Sequence, residues 1–313
     1  MMRLSKITTI FLMLLLILAA SVFDVVQAQP QDKRLKKRVA VFTFEDKSAH
    51  QWRWWTGQPV GEGMADMLIT ALVKTGNYQV YERTEINNIL EEQKLGMTGA
   101  VTQESAAKVG QLIGVELAIM GAVTEFGWSQ SGTGGAAKKF GIGIGIKSTA
   151  ATVAVDVRFV NTTTGEIVTA ESVRKEESKK GLAIDTDKFS FENQQKFDES
   201  LVGKATRDAI DSIVEMVDKT APKIPWQAKI IKGDGPIFIN AGSITGVQVG
   251  DEFNVYRQGE ELIDPDTGIS LGAVESKIGR IRVVNNSIGG GKASQCEAVS
   301  GSGFERNDIV KTN

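Results

Sequence analysis

The sequence predicts an α/β domain, with a mixed sheet flanked by helices and a long β-hairpin, followed by a small all-β barrel-like domain. Residues 38–45 (RVAVFTFE) are apolar on both faces, which is typical of a central strand covered by helices. Apolar residues alternate along residues 140–159, as in a half-buried strand. Beyond residue 226, short apolar runs are separated by frequent glycines, which indicates several short strands.

The N-terminus has the features of a secretion signal. Arg3 and Lys6 precede the apolar stretch Ile10–Ala20, which is too short to span a bilayer, and small residues follow at a cleavage site. We therefore expect residues 1–28 to be a signal peptide and the mature protein to be exported. Because the only cysteine, Cys296, is near the C-terminus, the sequence predicts neither a lipoprotein nor an internal disulfide.

Composition excludes several function classes. The 36 basic and 38 acidic residues nearly cancel, so the chain lacks the basic excess of nucleic-acid-binding proteins. The basic residues 29–37 are interpreted as a solvated N-terminal tail. His50 is the only histidine, so a histidine metal cluster or a histidine-dependent triad has no material beyond this one residue. Because no nucleophile with a matched base can be named, we expect no enzyme and no cofactor.

The α/β domain, residues 38–220, is predicted from helical stripes and short apolar strands. A loop over Asp46–Gln58 follows the first strand. The later elements are a helix from Pro59 to the C-cap Gly76, a strand at 78–81, helices at 84–96 and 102–114, strands at 117–123 and 166–172, and a helix at 201–217.

The alternating segment changes parity partway along. Apolar residues fall at even positions from Phe140 to Ile146 and at odd positions from Ala151 to Phe159. Drawn out fully, Phe140–Phe159 would reach roughly 65 Å, which no small domain needs. Either the strand leaves its domain, or it breaks in two at Lys147–Ala150.

Two prolines at residues 221–226 predict a linker to the small β domain at 227–313. Its predicted strands are 228–232, 237–240, 253–257, 278–284 and 308–311. Asp264–Gly268 (DPDTG) lacks the later acidic ligand of a calcium loop and is better interpreted as a turn.

Several motifs together resemble the curli secretion channel family (CsgG and its holdfast-anchor relatives). They are Phe42–Phe44 (FTF), GEGMADMLITALVKTGNYQV at 61–80, YERTEINNILEEQK at 81–94, AIMGAV at 118–123, Phe140–Gly143 (FGIG), and VDVRFVNTTTGEI at 155–167. The resemblance covers about residues 38–217. The C-terminal part resembles the C-terminal domain of flagellar assembly protein T, through GSITGVQVGD at 242–251 and LIDPDTG at 262–268.

The family resemblance implies a periplasmic domain that assembles into a homo-oligomeric ring. In channel members, two hairpin arms per subunit build an outer-membrane barrel that exports unfolded subunits. The arms would be residues 131–150 and 175–197. The candidate membrane-facing residues of the first arm are Phe140, Ile142, Ile144 and Ile146, whereas charges fall on both parities of the second arm.

The loop after the first strand is the second candidate site. It contains His50, Trp52, Trp54 and Trp55, and channel members carry a constriction loop at this place. The tryptophans would either surround a pore or partner groove, or fold back into their own domain. Its residues do not match the family's constriction residues position by position, so no roles are transferred.

These observations favour a non-catalytic component of the cell envelope that assembles or transports other proteins, works as a ring and contacts the outer membrane. Its partners would be other copies of itself and a secreted or envelope protein. The alternative is a soluble periplasmic adaptor that docks on an envelope enzyme or a flagellar basal structure, which the polar second arm and the added β domain favour.

Overall fold

The computed structural model describes residues 35–48, 59–82, 114–133, 146–180, 194–263, 265 and 270–312. The strands are β1 Lys37–Val41, β2 Glu45–Asp46, β3 Tyr78–Glu82, β4 Leu117–Thr133, β5 Ile146–Asn161, β6 Ile167–Lys180, β7 Gln227–Lys232, β8 Ile237–Ile239, β9 Glu252–Ile263, β10 Ser270–Ile288, β11 Ala293–Gly301 and β12 Ile309–Lys311. The described α-helices are α1 Val60–Thr75, α2 Gln194–Glu199 and α3 Leu201–Thr220.

The first part of the chain forms a mixed sheet, which confirms the predicted fold class. Its strand order is β3-β1-β4-β5-β6, with β2 beside β4. β1 runs parallel to β3 and β4, while β4, β5 and β6 are antiparallel to one another. One face carries the main core, to which α1 and α3 contribute their apolar sides.

The first strand is buried on both faces, as predicted for a central position. Val39 and Val41 lie in the main core, and Ala40 and Phe42 lie in a second cluster. The prediction of one strand over residues 38–45 is wrong. Strand β1 ends at Val41, and Phe44 lies in the main core.

The position of Phe44 depends on two glycines. A Cβ at Gly61 would lie 1.9 Å from the carbonyl oxygen of Phe44, and a Cβ at Gly121 would lie 3.3 Å from its ring. The backbone N–H of Phe44 also donates to the carbonyl of Gly61, with an N–O distance of 3.4 Å. The chain therefore leaves the strand after Val41 and settles against the first turn of α1.

The two long helices end at the signals that the sequence contains. Gly76 follows α1 with φ of 69° and donates its N–H to the carbonyl of Val73, as expected of a glycine C-cap. Ser200 caps α3 by accepting from the N–H of Gly203 at 2.9 Å. The predicted helix at 201–217 is confirmed and continues to Thr220.

A bulge in β4 was not predicted. Val123 pairs with Val155, but the next pair is Glu125 with Ala154, which leaves Thr124 as an extra residue. The extra residue shifts the alternation, so Val123 and Phe126 both reach the main core.

The parity change in the alternating segment is not a strand break within the described residues. β5 is continuous from Ile146 to Asn161, and its ladder with β4 has no register shift at residues 147–150. β6 also pairs with β5 as far as Ser148, opposite Lys180.

The C-terminal strands close into a barrel in the order β10-β11-β8-β7-β12-β9, which confirms the predicted all-β barrel-like part. Its core includes Trp226, whose ring stacks on Phe253 with a centroid distance of 5.1 Å. β11 was not predicted, because its sequence ASQCEAVSG has little apolar alternation. Strand β10 extends far beyond the predicted range of 278–284.

Candidate functional site

Three long strands of the described chain lie side by side. Strands β4, β5 and β6, which we call the ribbon, contain 17, 16 and 14 residues. Strands of globular proteins average about 5–6 residues. Trp128 and Ala151 pair with each other and contact the main core, and the β4–β5 ladder continues past them to Thr133 opposite Ile146. These two strands therefore stay paired well beyond this point.

The two faces of the ribbon differ in chemistry. The face toward α3 is apolar near the body, with Phe126, Val153 and Val173 buried. The opposite face carries small and charged residues at the paired positions 125, 154 and 174 and beside them. Such a ribbon has one side that packs and one side exposed to solvent.

An ion-pair cluster crosses the exposed face. Arg174 on β6 and Glu125 on β4 both pair in register with Ala154 of the strand between them. The guanidinium reaches over this small residue, with Nη2 3.3 Å from Oε2 of Glu125, and Nη1 lies 3.4 Å from Glu176. Hydrogen bonds and charge from Glu125, then Glu176, raise the pKa of Arg174.

The predicted first arm is only partly within the described residues. Residues 131–133 and 146–150 belong to β4 and β5. Phe140, Ile142 and Ile144 lie outside the described residues, and Ile146 is placed only as the first residue of β5. Their membrane-facing role stays a prediction.

The predicted second arm at 175–197 needs a correction. Its first part belongs to β6, which ends at Lys180, but Gln194–Glu199 form helix α2. Phe197 is buried in the main core. An arm therefore has to end before Gln194, and residues 181–193 lie outside the description.

His50, Trp52, Trp54 and Trp55 also lie outside the described residues, so the predicted pore or partner loop stays a prediction. Its base is described. β2 pairs with β4, and the N–H of Lys47 donates to the carbonyl of Val123 at 2.9 Å. The loop therefore leaves the sheet beside the bulge at Thr124, at the root of the ribbon.

A groove of about 610 Å³ runs between α1 and α3. Met67, Ala71 and Val214 give it an apolar lining. Asp198 and Arg207 form an ion pair at one side. The sequence showed both helical stripes but not that they leave an open groove between them.

A second cluster joins the sheet to the barrel. Glu116, fully buried, accepts the N–H of Arg38 through Oε2 and the N–H of Gln227 through Oε1, both at 2.8 Å. The Arg38 guanidinium donates to the carbonyl of Gln227, and the amide of Gln227 donates to Oγ1 of Thr163 at 2.6 Å. We call this cluster the junction; no motif in the sequence indicated it.

The junction corrects the prediction of a solvated tail. Lys37, assigned to a solvated tail, belongs to β1 and is 6% exposed. Leu35 packs against the barrel core, and the N–H of Lys36 donates to the carbonyl of Thr245 at 2.9 Å. In the predicted linker, Ile224 is buried in the main core and Trp226 in the barrel core, so apolar contacts hold this connection.

No group of three or more potential metal ligands occurs within the part of the chain that the structure describes. None of the described helices combines the length and apolar character needed to cross a bilayer. Burial raises the pKa of the Cys296 thiol to about 12, so this thiol stays protonated and unreactive at neutral pH.

A family model described as "Curli production assembly/transport component CsgG" matches residues 18–229. No curated protein matches the chain. The match includes the mixed sheet, α1, α3 and the ribbon.

Three solved structures illustrate the likeness at low identity. The hypothetical protein CT253 from Chlamydia trachomatis is 11% identical, with 59% of this chain and 97% of that one covered and a TM-score of 0.40. Lipoprotein GNA1162 from Neisseria meningitidis is 16% identical, with coverage of 58% and 99% and a TM-score of 0.32. A PelC dodecamer from Paraburkholderia phytofirmans is 14% identical, with coverage of 59% and 89% and a TM-score of 0.32.

Proposed function

This chain belongs to the CsgG family of curli production assembly/transport components, and from that premise we propose that it forms a ring of identical subunits at the outer membrane. It is an assembly or transport component of the cell envelope. In the proposed ring, each subunit contributes its ribbon to a shared channel for a secreted or envelope protein.

The observation that carries the proposal is the length of the ribbon. The β4–β5 ladder continues from Ser129 opposite Ala150 to Thr133 opposite Ile146, past the pair Trp128–Ala151 that contacts the main core. In the sequence, the alternating apolar segment 140–146 lies between these strands and leads into β5. A membrane-spanning strand needs about 9–11 residues with apolar side chains alternating outward, and this segment with its continuation supplies that length.

The proposed activity depends on binding and shape rather than on chemistry. Within the described residues, the buried carboxylate Glu116 is committed to backbone N–H groups and leaves no geometry for a general base. A channel subunit needs a rigid frame, two different surfaces that complement each other and a lumen, and the sheet with its two helices supplies the frame.

The test is extraction of native membranes with mild detergent, followed by electron microscopy and conductance in planar bilayers. We expect the full chain to form rings that conduct. A variant in which residues 134–145 are replaced by a short Gly-Ser turn should still form rings but should lose conductance, because the segment proposed to span the membrane is missing.

A matched control shortens another hairpin loop. Replacing residues 264–269, between β9 and β10, removes a loop of the barrel and should leave rings and conductance intact. A protein found only as a monomer in the soluble periplasmic fraction would contradict the ring. Rings that conduct equally without residues 134–145 would contradict the assignment of the channel.

One observation favours the second candidate, a soluble periplasmic adaptor. The described end of β6 carries charges on both faces, including Lys175, Glu176 and Glu177, and α2 limits any second arm to fewer residues. Charged side chains on a lipid-facing strand are costly. If the protein is an adaptor, the variant lacking residues 134–145 should keep its envelope partner in a pull-down. In that case neither the full chain nor this variant should conduct.

A further inference from the structure

The sheet and the barrel are joined by one buried carboxylate. Glu116 lies at the start of β4, and its two oxygens bind one N–H from β1 and one from β7. These partners are 78 and 111 residues away along the chain. A hydrogen bond from each part of the molecule therefore ends on the same side chain.

The charges around Glu116 are unequal. Arg38 on β1 has Nε 3.8 Å from Oε2, and its guanidinium also donates to Gln227 of β7. Lys37 on β1 is buried, and its Nζ has no hydrogen-bond partner. Burial, and to a lesser extent the nearby charge of Arg38, lowers the pKa of Lys229 on β7. The charges of Arg38 and Lys37 thus act on one buried carboxylate.

We propose that Glu116 is a charge-operated latch between the two parts: its ionised carboxylate holds the barrel against the sheet, and loss of that charge lets the barrel swing away as a folded unit. The hinge is the connection around Ile224–Gln227, which remains when the latch opens. Opening would also free Leu35 and break the bond between Lys36 and Thr245. This inference is independent of the proposed ring.

The chemistry of a carboxylate explains why charge decides the state. A carboxylate accepts hydrogen bonds through both oxygens, whereas a protonated acid or an amide presents a donor at one of them. One of the two backbone N–H groups would then face a donor in a buried site, which removes a hydrogen bond and opposes like partial charges. The loss of charge also leaves the buried cations of Arg38 and Lys37 uncompensated.

Both parts should remain folded when the latch opens. The sheet keeps its main core, and the barrel closes on itself with its own core around Trp226 and Phe253. The connection would then act as a hinge of a few residues at the ends of structural elements, as in other domain motions.

The first test compares Glu116→Gln with the wild type and with Glu215→Gln, the same chemical change at an exposed site on α3. Trypsin cleavage after the exposed Lys223 reports the opening of the connection. We expect cleavage about tenfold faster in Glu116→Gln, corresponding to one lost hydrogen bond in a buried site, and unchanged in Glu215→Gln. Equal cleavage rates in all three proteins would overturn the latch.

Hydrogen exchange separates a latch from a merely structural residue. In Glu116→Gln, peptides covering residues 225–231 should exchange faster, while peptides from the core strands at 153–157 and 253–257 should be unchanged. Faster exchange in all three regions would show that Glu116 stabilises the whole fold, and would overturn the proposal.

The wild type provides the same test if Glu116→Gln does not fold, as judged by loss of the near-ultraviolet signal of Trp226. In the wild type, the backbone amide of Gln227, which donates to Oε1 of Glu116, should exchange through an opening that costs less free energy than opening of the core strands at 153–157 and 253–257. If this amide exchanges only as slowly as both cores, the connection opens only with the whole fold, and the latch is overturned.

Discussion

Arg174 on β6 reaches Glu125 on β4 across the whole width of the intervening strand β5. The distance between Nη2 and Oε2 is 3.3 Å, and Ala154 is the residue beneath the crossing side chain. A larger side chain at this position would stand between the two charged groups. The pair thus connects the outer strands of the ribbon through side chains and not through the backbone hydrogen bonds of the ladder.

A double-mutant cycle should give a small coupling for this pair. Both side chains are about half exposed, 52% and 51%, so solvent screens the pair and we expect the Arg174→Ala and Glu125→Ala effects to be close to additive. The free energies of unfolding come from urea denaturation in low salt. At about 1 M salt the coupling should fall further, and a coupling that is unchanged by salt would contradict an exposed ion pair.

Gly61→Ala should destabilise the fold, although glycine to alanine usually stabilises a helix. The usual gain is about 1 kcal/mol. Here the new Cβ would lie 1.9 Å from the backbone oxygen of Phe44, which cannot move as a side-chain end can. We expect a net loss of about 1–3 kcal/mol in urea denaturation.

Thr70→Ala, on the exposed side of the same helix, is the control. This substitution changes the helix propensity but introduces no clash, so it should alter the free energy of unfolding by less than about 0.5 kcal/mol. A stabilised Gly61→Ala protein would show that Phe44 is not held against α1 as the structure has it.

The fold was predictable where one local pattern decides the outcome. The stripe of α1 with Gly76 after it, the helix after Ser200 and the short glycine-separated strands all carry their own signals. Phe44 could not be placed, because its return to the main core depends on Gly61 and Gly121, which are distant in sequence. The bulge at Thr124 left no signal either, since only pairing with β5 reveals the extra residue.

The junction escaped prediction for a related reason. Lys37 and Arg38 have the composition of a solvated tail, and residues 221–226 have that of a linker. Arg38 is instead held by the barrel, which follows it by almost two hundred residues and supplies Gln227 as a partner. Glu116 likewise precedes an apolar strand and resembles an ordinary exposed acid. Of the ribbon, β5 was predictable because its alternation is local, whereas β4 and β6 run far beyond the predicted 117–123 and 166–172.

Lys37→Met should stabilise the protein at pH 7. The ammonium group is buried without a hydrogen-bond partner, and burial lowers the pKa of Lys37 to about 8 despite the attraction of Glu116. In the unfolded chain the group keeps its proton up to about pH 10.5, so between pH 8 and 10.5 the unfolded state binds more protons than the folded state. The contribution of Lys37 to the free energy of unfolding of the wild type therefore rises as the pH increases from 8 to 10.5.

The measurement is the free energy of unfolding of both proteins at pH 7, 8, 9 and 9.5. The advantage of Lys37→Met should be at most about 3 kcal/mol at pH 7 and should shrink as pH rises. Tyr78, whose pKa is raised by burial and by its hydrogen bond to Asp218, contributes the opposite slope above pH 10 in both proteins, so it cancels in the comparison. An advantage that is constant with pH would contradict a buried, strained ammonium at Lys37.

Trp226→Ala should unfold the barrel before the sheet. Trp226 is 2% exposed, stacks on Phe253 and belongs to the barrel core, while the neighbouring Ile224 belongs to the main core. Removing a buried tryptophan costs about 3–5 kcal/mol, which is comparable to the whole stability of a small domain. Because the sheet has its own core, we expect two separate thermal transitions, with hydrogen exchange accelerated in β9 and β10 but not in β4 and β5.

The control is Trp226→Phe, which keeps an aromatic ring against Phe253 and should retain most of the stability. A single thermal transition in Trp226→Ala, shifted as a whole, would contradict this prediction. It would mean that the junction couples the two cores so strongly that the barrel does not unfold separately. The latch proposed at Glu116 would then have no independently folded barrel to release.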